Sequence, residues 1–203
     1  LPGMLDAKKA TALRDLIDRS LRDALTPMED PIPEWTIRAM EQNYAELLPK
    51  TVRVHTALLD SRRAKAYRIA EEIGLVGMLR SASFAAFAQS LAGRPLKKRW
   101  GIQTLCYTPG DYAGPHNDHH PEEADARDGY LDLHITLATS GVASQWLVYE
   151  QGGHFSAMQD VNTVGGVTAY RLPFWHYTTP LQARRGREDE ARRWVLLGTF
   201  LFK

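Results

Sequence analysis

The pattern of apolar and polar positions changes character near residue 95 and divides the chain into two halves. Before that point, apolar residues recur at the three- and four-residue spacing of amphipathic helices. After residue 99, short apolar runs alternate with clusters of turn residues, as in a set of β-strands. The pattern therefore predicts helices first and a β core afterwards.

Four helical segments are predicted in residues 1–95. The first has an apolar stripe of Leu13, Leu16, Ile17, Leu21 and Ala24. The second covers residues 34–48 and has a stripe of Ile37, Met40, Tyr44 and Leu47. The third covers 54–73, and Gly74 is its expected stop. The fourth is "SFAAFAQSLAG", with Ser83 as the expected N-cap and Gly93 as the C-terminal glycine.

Seven runs in the second half are predicted to be strands: "RWGIQTLCY", "GYLDLHITLAT", "SQWLVYEQ", "GHFSAM", "GGVTAYRL", "HYTTPLQAR" and "RRWVLLGTFLF". No helix-length segment lies between them, so the sheet is expected to be mainly antiparallel. We predict an α+β fold in which residues 1–95 form a helical buttress and 96–203 form a jelly-roll core of seven or eight strands. Residues 111–130 are polar and are predicted to form a loop or lid, and 1–203 are expected to be one domain.

Composition and charge exclude several classes of function. The chain is 44% apolar and 24% charged with a formal net charge of +1, which gives no broad electrostatic reason to bind nucleic acid or an anionic membrane. No apolar run approaches the roughly 20 residues of a membrane span, and the N-terminal residues lack the pattern of a signal peptide. Cys106 is the single cysteine, which excludes an intrachain disulfide and favours a reducing cytoplasm.

The stretch "YTPGDYAGPHNDHH", residues 107–120, concentrates candidate metal ligands at the end of a predicted strand. On an extended strand, side chains two residues apart face the same side, so the side chains of His116 and Asp118 are expected to converge. His176, in "LPFWHYTTPL", is the candidate third ligand. Two imidazoles and one carboxylate suit an Fe(II) ion that must also bind a co-substrate and O₂. Zinc accepts the same ligand types, so these residues leave the metal open.

The remaining histidines of the second half are interpreted as structural. His119 and His120 are expected to lie in a polar, solvent-exposed loop. His134 alternates with Leu133 and Ile135 in a predicted strand, and it is expected to be a cavity-wall residue whose hydrogen bonds are satisfied.

Residues 100–203 resemble the Fe(II)- and 2-oxoglutarate-dependent dioxygenases, in particular their prolyl-hydroxylase-like branch. The matching text is "YTPGDYAGPHND", then "HYTTPL", and finally "RRWVLLGTFLF". The resemblance implies a double-stranded β-helix that uses Fe(II), 2-oxoglutarate as co-substrate and O₂. It implies His116, Asp118 and His176 as the catalytic iron ligands. It also places Tyr107 at a strand-end position whose hydroxyl often helps to hold the co-substrate.

The resemblance further implies that a basic residue on the last strand anchors the distal carboxylate of 2-oxoglutarate. Arg193 and Arg192 are both candidates, and a guanidinium suits a carboxylate because it can donate two parallel hydrogen bonds. The family's arginine directly precedes an outward-facing aromatic residue, so Arg193 before Trp194 is preferred. His176 and Arg193 are seventeen positions apart, which is longer than usual in the family. Arg184 and Arg185 therefore stay as alternatives.

We expect an Fe(II)- and 2-oxoglutarate-dependent oxygenase that oxidises a small-molecule or peptide substrate. One alternative keeps the metal and the jelly roll but does not use 2-oxoglutarate, as in cupin-like enzymes. Another is a non-catalytic β-barrel binding protein. Binding of 2-oxoglutarate separates the first reading from the second, and metal binding separates both from the third.

Overall fold

The computed structural model of the protein describes residues 1, 3–31, 51–118 and 128–203. Its helices are α1 (Ala7–Leu21), α2 (Lys65–Glu72), α3 (Leu75–Leu79) and α4 (Ala82–Ala92), with 3₁₀ turns at Arg22–Ala24 and Glu188–Glu190. The helix predicted over 34–48 and the loop positions of His119 and His120 lie outside the described residues. Within the described part of the chain, no helix combines the length and apolar character needed to cross a membrane.

Twelve strands are present in the described residues. They are β1 (Thr26–Pro31), β2 (Thr51–Leu58), β3 (Leu96–Tyr107), β4 (Tyr112–His116), β5 (Tyr130–Ala138), β6 (Val142–Ser144), β7 (Trp146–Gln151), β8 (His154–Asp160), β9 (Gly166–Leu172), β10 (His176–Thr178), β11 (Gln182–Ala183) and β12 (Arg193–Phe202). Each run predicted as a strand after residue 99 contains at least one of them.

Helix α4 shows how local chemistry sets an element's limits. The side chain of Ser81 accepts a hydrogen bond from the backbone N–H of Phe84 at 3.1 Å, which satisfies a donor of the first turn. The prediction of Ser83 as the N-cap is therefore wrong, because Ser83 already lies inside the helix. The helix ends where Gly93 adopts φ +68, a left-handed conformation that glycine reaches without steric cost.

The prediction of one helix over 54–73 is also wrong. Residues Thr51–Leu58 form strand β2, and only Lys65–Glu72 are helical. Val52, Val54 and Leu58 line one side of the sheet, so this segment follows a period of two. Its β-branched residues favour a strand, and pairing with β1, β3 and β4 supplies the partners that a sequence pattern does not show.

All strand pairs are antiparallel. The main sheet has the order β8-β7-β10-β4-β2-β3-β12-β5-β9, with β1 added to β2, and β11 pairs separately with β6. The predicted jelly roll of antiparallel strands with helices against it is confirmed. The described sheets contain twelve strands, against the seven or eight predicted. Of the additional strands, β1 and β2 come from the helical half, β4 comes from the predicted loop, and β6 and β11 are short strands that the sequence pattern did not separate. The prediction of a loop throughout 111–130 is wrong for residues 112–116, which form β4.

The core lies between the helices and one face of strands β5 and β12. Leu131, Leu133 and Leu137 of β5 and Trp194, Leu196 and Phe200 of β12 are buried in one apolar cluster. Ile17 and Leu21 of α1 and Phe84 of α4 belong to the same cluster. Because side chains alternate along a strand, the neighbouring positions of β5 and β12 face the opposite side, where they line a cavity.

Gly198 on β12 is required by the close approach of α4. A Cβ atom at this position would lie 2.7 Å from a ring carbon of Phe84 and 2.9 Å from one of Phe200. We expect Gly198→Ala to destabilise the protein by about 1–3 kcal/mol, because two buried rings must move. The measurement is the free energy of unfolding in urea.

Gly101→Ala on the neighbouring strand is the matched control. Its nearest contact would be the Cβ of Thr199 at 3.7 Å, an ordinary van der Waals distance. The free energy of unfolding of this variant is expected to stay within about 0.5 kcal/mol of the parent protein. Equal effects of the two substitutions would contradict the packing argument.

Candidate metal centre

Two histidines face each other across one strand pair. His116 is the last residue of β4 and His176 is the first residue of β10, and the two are direct partners in the antiparallel register. Their ring centroids are 4.3 Å apart. A register irregularity follows between His176 and Thr178, where the Thr178 hydroxyl accepts a hydrogen bond from the backbone N–H of Ala113 at 2.8 Å. Such irregularities re-aim side chains beside functional sites.

Asp118 completes the group through its backbone conformation. The distance from its Oδ1 to Nε2 of His116 is 3.4 Å, and from its Oδ2 to Nε2 of His176 it is 3.5 Å. Asp118 lies two residues beyond the end of β4 and has φ +53, in the left-handed region that aspartate tolerates better than most residues. The prediction that strand alternation aligns His116 and Asp118 is therefore wrong in its reason. The left-handed turn directs the carboxylate toward both rings.

Hydrogen bonds fix which nitrogen of each imidazole faces Asp118. Nδ1 of His116 donates to the carbonyl oxygen of Gly114 at 2.6 Å, and Nδ1 of His176 donates to that of Phe174 at 3.0 Å. A carbonyl oxygen only accepts, so in the neutral rings Nε2 carries the lone pair. Burial, and secondarily the proximity of His116, lower the pKa of His176 to about 4. Its Nε2 is therefore available as a ligand at neutral pH.

The three side chains fit a divalent metal ion. One ligand atom from each residue lies within 4.8 Å of the other two. Ligand atoms about 2.1 Å from a shared ion stand roughly 3 Å apart, so the observed separations need only small side-chain adjustments. Two imidazoles and one carboxylate leave coordination positions open, as in non-heme Fe(II) oxygenases.

The three candidate metal ligands lie at a cavity of about 510 Å³ in the sheet. This volume is in the range of small-molecule binding sites. Much of the wall is apolar and includes Val54, Leu58, Leu105, Leu147, Leu197 and Leu201. The polar lining includes Tyr107, Asp132, His134, Tyr170 and Arg193.

Arg193 is a buried cation at this cavity. Its residue is only 2% exposed, its Nε donates to the carbonyl oxygen of Val161 at 3.0 Å, and its Nη1 donates to Oε1 of Gln145 at 3.0 Å. None of the ion pairs found among the described residues joins it to a carboxylate. Burial lowers the pKa of Arg193, because removing a cation from water is unfavourable. The guanidinium is thus held in place by neutral acceptors, and no carboxylate in the described part of the chain lies within ion-pair distance of it.

Gln145 is a site residue that the sequence reasoning missed. It is completely buried, and its Nε2 donates to the carbonyl oxygens of Asp111 at 3.2 Å and Thr179 at 3.0 Å. These bonds leave its Oε1 directed at Arg193. No sequence signal indicated this role, because a single glutamine between short strands is typical of many surface loops.

The two candidate arginines lie on different sides of the last strand. Arg193 faces the cavity, whereas Nε of Arg192 lies 3.7 Å from Oδ1 of Asp18 on α1. Trp194, also on the helix side, donates from Nε1 to the same oxygen at 3.0 Å. Tyr107 is the register partner of Arg193, and the guanidinium carbon of Arg193 lies 5.2 Å from the centre of its ring. Burial raises the pKa of Tyr107, so its hydroxyl keeps its proton at neutral pH.

His134 and Asp132 also face the cavity from β5. Nε2 of His134 has no hydrogen-bond partner, so the expectation of a fully satisfied wall histidine is wrong. Its ring packs edge-on against Tyr170 with a centroid distance of 4.5 Å, and Tyr170 stacks on His176 at 5.5 Å. The ring of Tyr170 therefore lies between His134 and the candidate ligand His176.

Comparison with solved structures finds the same fold over nearly the whole chain. A prolyl-4-hydroxylase of Pseudomonas putida is 17% identical, with a TM-score of 0.53 over 99% of this chain and 90% of its own. A 2OG-Fe(II) oxygenase family oxidoreductase of Burkholderia pseudomallei is 14% identical, with a TM-score of 0.62 over 97% and 80%. The non-heme alpha-ketoglutarate-dependent carbocyclase SnoK of nogalamycin biosynthesis is 14% identical, with a TM-score of 0.57 over 100% and 78%.

No family model matches the chain, and no curated protein matches it in sequence. At identities of this size the structural likeness shows the fold alone. The resemblance seen in the sequence is therefore confirmed at the level of fold.

We expect His116→Ala and His176→Ala each to weaken binding of Co(II) or Zn(II) to the metal-free protein by more than about tenfold, the lower bound for residues that merely support a metal ligand. Calorimetric titration measures this. His154→Ala is the matched control, because His154 is exposed at the start of β8 and lies outside the cavity lining. Unchanged affinity in the two cavity variants would contradict the assignment.

The pH dependence of stability provides a second check. Because the pKa of His176 is about 4 in the folded protein and about 6.5 in an unfolded chain, the unfolded state binds the proton first. The contribution of neutral His176 is fully present above about pH 6.5 and is lost as the pH falls towards 4. Between about pH 6.5 and pH 4, the free energy of unfolding of the metal-free protein should fall by on the order of 1–3 kcal/mol more than that of His176→Gln. The measurement is the free energy of unfolding in urea at several pH values. The same dependence on pH in the parent protein and in His176→Gln would contradict this expectation.

Proposed function

We propose that the protein is an Fe(II)- and 2-oxoglutarate-dependent oxygenase. The observation that carries this proposal is the presence, in one cavity, of the His116–Asp118–His176 group and of the buried guanidinium of Arg193, which forms no ion pair with a carboxylate of the described residues. A metal site alone would suit many reactions. The guanidinium of Arg193 offers a second site, for a carboxylate, in the same cavity. This combination favours a co-substrate that binds the metal ion and the guanidinium together.

His116, Asp118 and His176 would hold the iron. Their Nδ1–H···O=C bonds keep both imidazoles oriented before any metal binds, so little side-chain freedom is lost on binding. Bound ferrous iron supplies the oxidative chemistry of this class, in which O₂ oxidises a substrate while 2-oxoglutarate is converted to succinate and CO₂. The chain itself holds the ligands, excludes water and positions the co-substrate.

Arg193 would bind the distal carboxylate of 2-oxoglutarate. Its Nε and Nη1 are engaged by Val161 and Gln145, and its other N–H groups are available for an anion. Burial strengthens an ion pair formed there, because the low local dielectric screens it less than water does. Tyr107, beside the guanidinium, offers a neutral hydroxyl as a further donor.

A small-molecule or peptide substrate is part of the proposal. The structural neighbours include a prolyl hydroxylase and a carbocyclase, so the fold alone does not select a substrate. The net charge of +1 argues against a nucleic acid partner. A reducing, cytoplasmic location also fits, because Cys106 is buried and unpaired.

Anaerobic titration with Fe(II) and 2-oxoglutarate tests the proposal. We expect a visible metal-to-ligand charge-transfer band and, on admission of air, slow release of succinate even without a substrate. Absence of the band in folded protein that still binds Fe(II) would favour a metal enzyme that does not use 2-oxoglutarate.

Arg193→Gln should raise the dissociation constant for 2-oxoglutarate at least tenfold, because truncating one member of a buried ion pair costs about 2–5 kcal/mol. Arg192→Gln is the matched control. It removes the same charge one residue away, on the side of the strand that faces Asp18. The same titration measures both variants, and equal effects, or a larger effect of Arg192→Gln, would contradict the assignment of the anchor.

A further inference from the structure

Strand β5 presents two chemically different faces. Its odd-numbered positions face the helices and are apolar and buried: Leu131, Leu133, Ile135 and Leu137. Its even-numbered positions Tyr130, Asp132 and His134 line the cavity. Polar side chains on the buried face of a central strand are unfavourable unless they meet a partner. The position of Asp132 and His134 on this face of β5 therefore needs an explanation.

The hydrogen-bonding capacity of this pair is unmet. Asp132 is only 7% exposed, and its Oδ1 has no hydrogen-bond partner. Nε2 of His134 has none either. The two residues approach each other, but Nε2 of His134 lies 3.8 Å from Oδ2 of Asp132, which is longer than a hydrogen bond. Among the described residues, no lysine or arginine forms an ion pair with Asp132.

The pair lies apart from the proposed anchor of the co-substrate. On β12, the residues opposite His134 and Asp132 are Leu197 and Thr199. These follow Arg193 by four and six positions, so the nearer lies roughly 13 Å from it along the strand. A five-carbon dicarboxylate held by Arg193 does not reach that far. Tyr170 links the pair to the metal ligand His176 through its two ring contacts. The pair is therefore in a position to bind a third component of the reaction, in addition to the metal ion and the co-substrate.

Charge balance indicates the nature of that component. In a loaded site, the positive charges of the ferrous ion and Arg193 balance the negative charges of Asp118 and the 2-oxoglutarate dianion. Among the described residues that line the cavity, no second lysine or arginine is present to balance the carboxylate of Asp132. An isolated buried carboxylate is strongly unfavourable, so a cation is the complementary ligand.

We infer that Asp132 and His134 form a subsite for an amine-bearing substrate. An ammonium group in the cavity can donate to Oδ2 of Asp132. Nε2 of His134, 3.8 Å from that oxygen, is covered by neighbouring atoms in the ligand-free protein and becomes a second acceptor when the imidazole turns towards the ligand. Leu58, Leu197 and Leu201 offer apolar contacts for the carbon skeleton. This inference deepens the proposed function, on which it rests, by naming the substrate class as a small aliphatic primary amine.

Three probes with the same six-carbon chain test the charge preference without any mutation. Hexylamine, 1-hexanol and hexanoate are titrated by ligand-observed NMR into the protein, both metal-free and loaded anaerobically with Fe(II) and 2-oxoglutarate. We expect hexylamine to bind at least tenfold more tightly than either other probe. Equal affinities, or a preference for hexanoate, would overturn the inference.

Asp132→Asn removes the charge and keeps the shape. We expect hexylamine affinity to fall at least tenfold, whereas Asp23→Asn, at an exposed carboxylate outside the cavity, should leave it unchanged. We also expect Asp132→Asn to raise the unfolding temperature of the ligand-free protein by about 2–4 °C, because a buried charge without a partner is removed.

A purely structural role for Asp132 gives the opposite results. If Asp132 served the fold through His134, its replacement would lower the unfolding temperature and leave the preference for hexylamine intact. Either outcome would overturn the inference. The charge-transfer band tests the co-substrate separately. A band without amine preference refutes the subsite alone, whereas amine preference without a band refutes the oxygenase and leaves a cation site.

Discussion

The antiparallel register between β4 and β10 is the constraint on which the site depends. It sets His116 directly opposite His176, although sixty positions separate them along the chain. A slip of one residue would turn one imidazole to the other face of the sheet. β4 also pairs with β2, and β10 with β7, so each of the two strands is held on both sides. The relative positions of the two histidines therefore depend on a continuous hydrogen-bonded ladder, whereas Asp118 depends on the turn that follows β4.

A second constraint is the alternation along β5 and β12. One face provides an apolar surface for the helices, and the opposite face holds a cation, a carboxylate and an imidazole away from water. Burying such groups without partners lowers the stability of the free protein. Proteins tolerate this cost where a ligand later supplies the partner, and the helix-facing residues of the same strands offset it.

Much of the second half could be predicted from its sequence, because short alternating runs between glycine-rich turns have few other interpretations. The triad positions followed from residue types and a family resemblance. The choice of Arg193 over Arg192 followed from strand alternation together with the family's pattern of an arginine before an outward-facing aromatic residue, and its role as the anchor stays a prediction. The failures have physical causes. Strand β2 was predicted as a helix because its apolar residues also fit helical spacing. Its pairing with β1, β3 and β4 is a tertiary effect that the local pattern does not show. The left-handed turn at Asp118 and the support from Gln145 depend on distant contacts that no local pattern records.

The cluster shared by α1, α4, β5 and β12 bears on how this chain can be divided. The motifs that suggest its chemistry all lie after residue 100. Judged by these motifs alone, a fragment that begins there would contain the whole site. Such a fragment would leave Leu133, Leu196 and Phe200 facing water, and it would lack the β2 residues that wall the cavity. Exposed apolar sheet faces promote aggregation. The helical half is better understood as the other side of a shared interior than as an appendage.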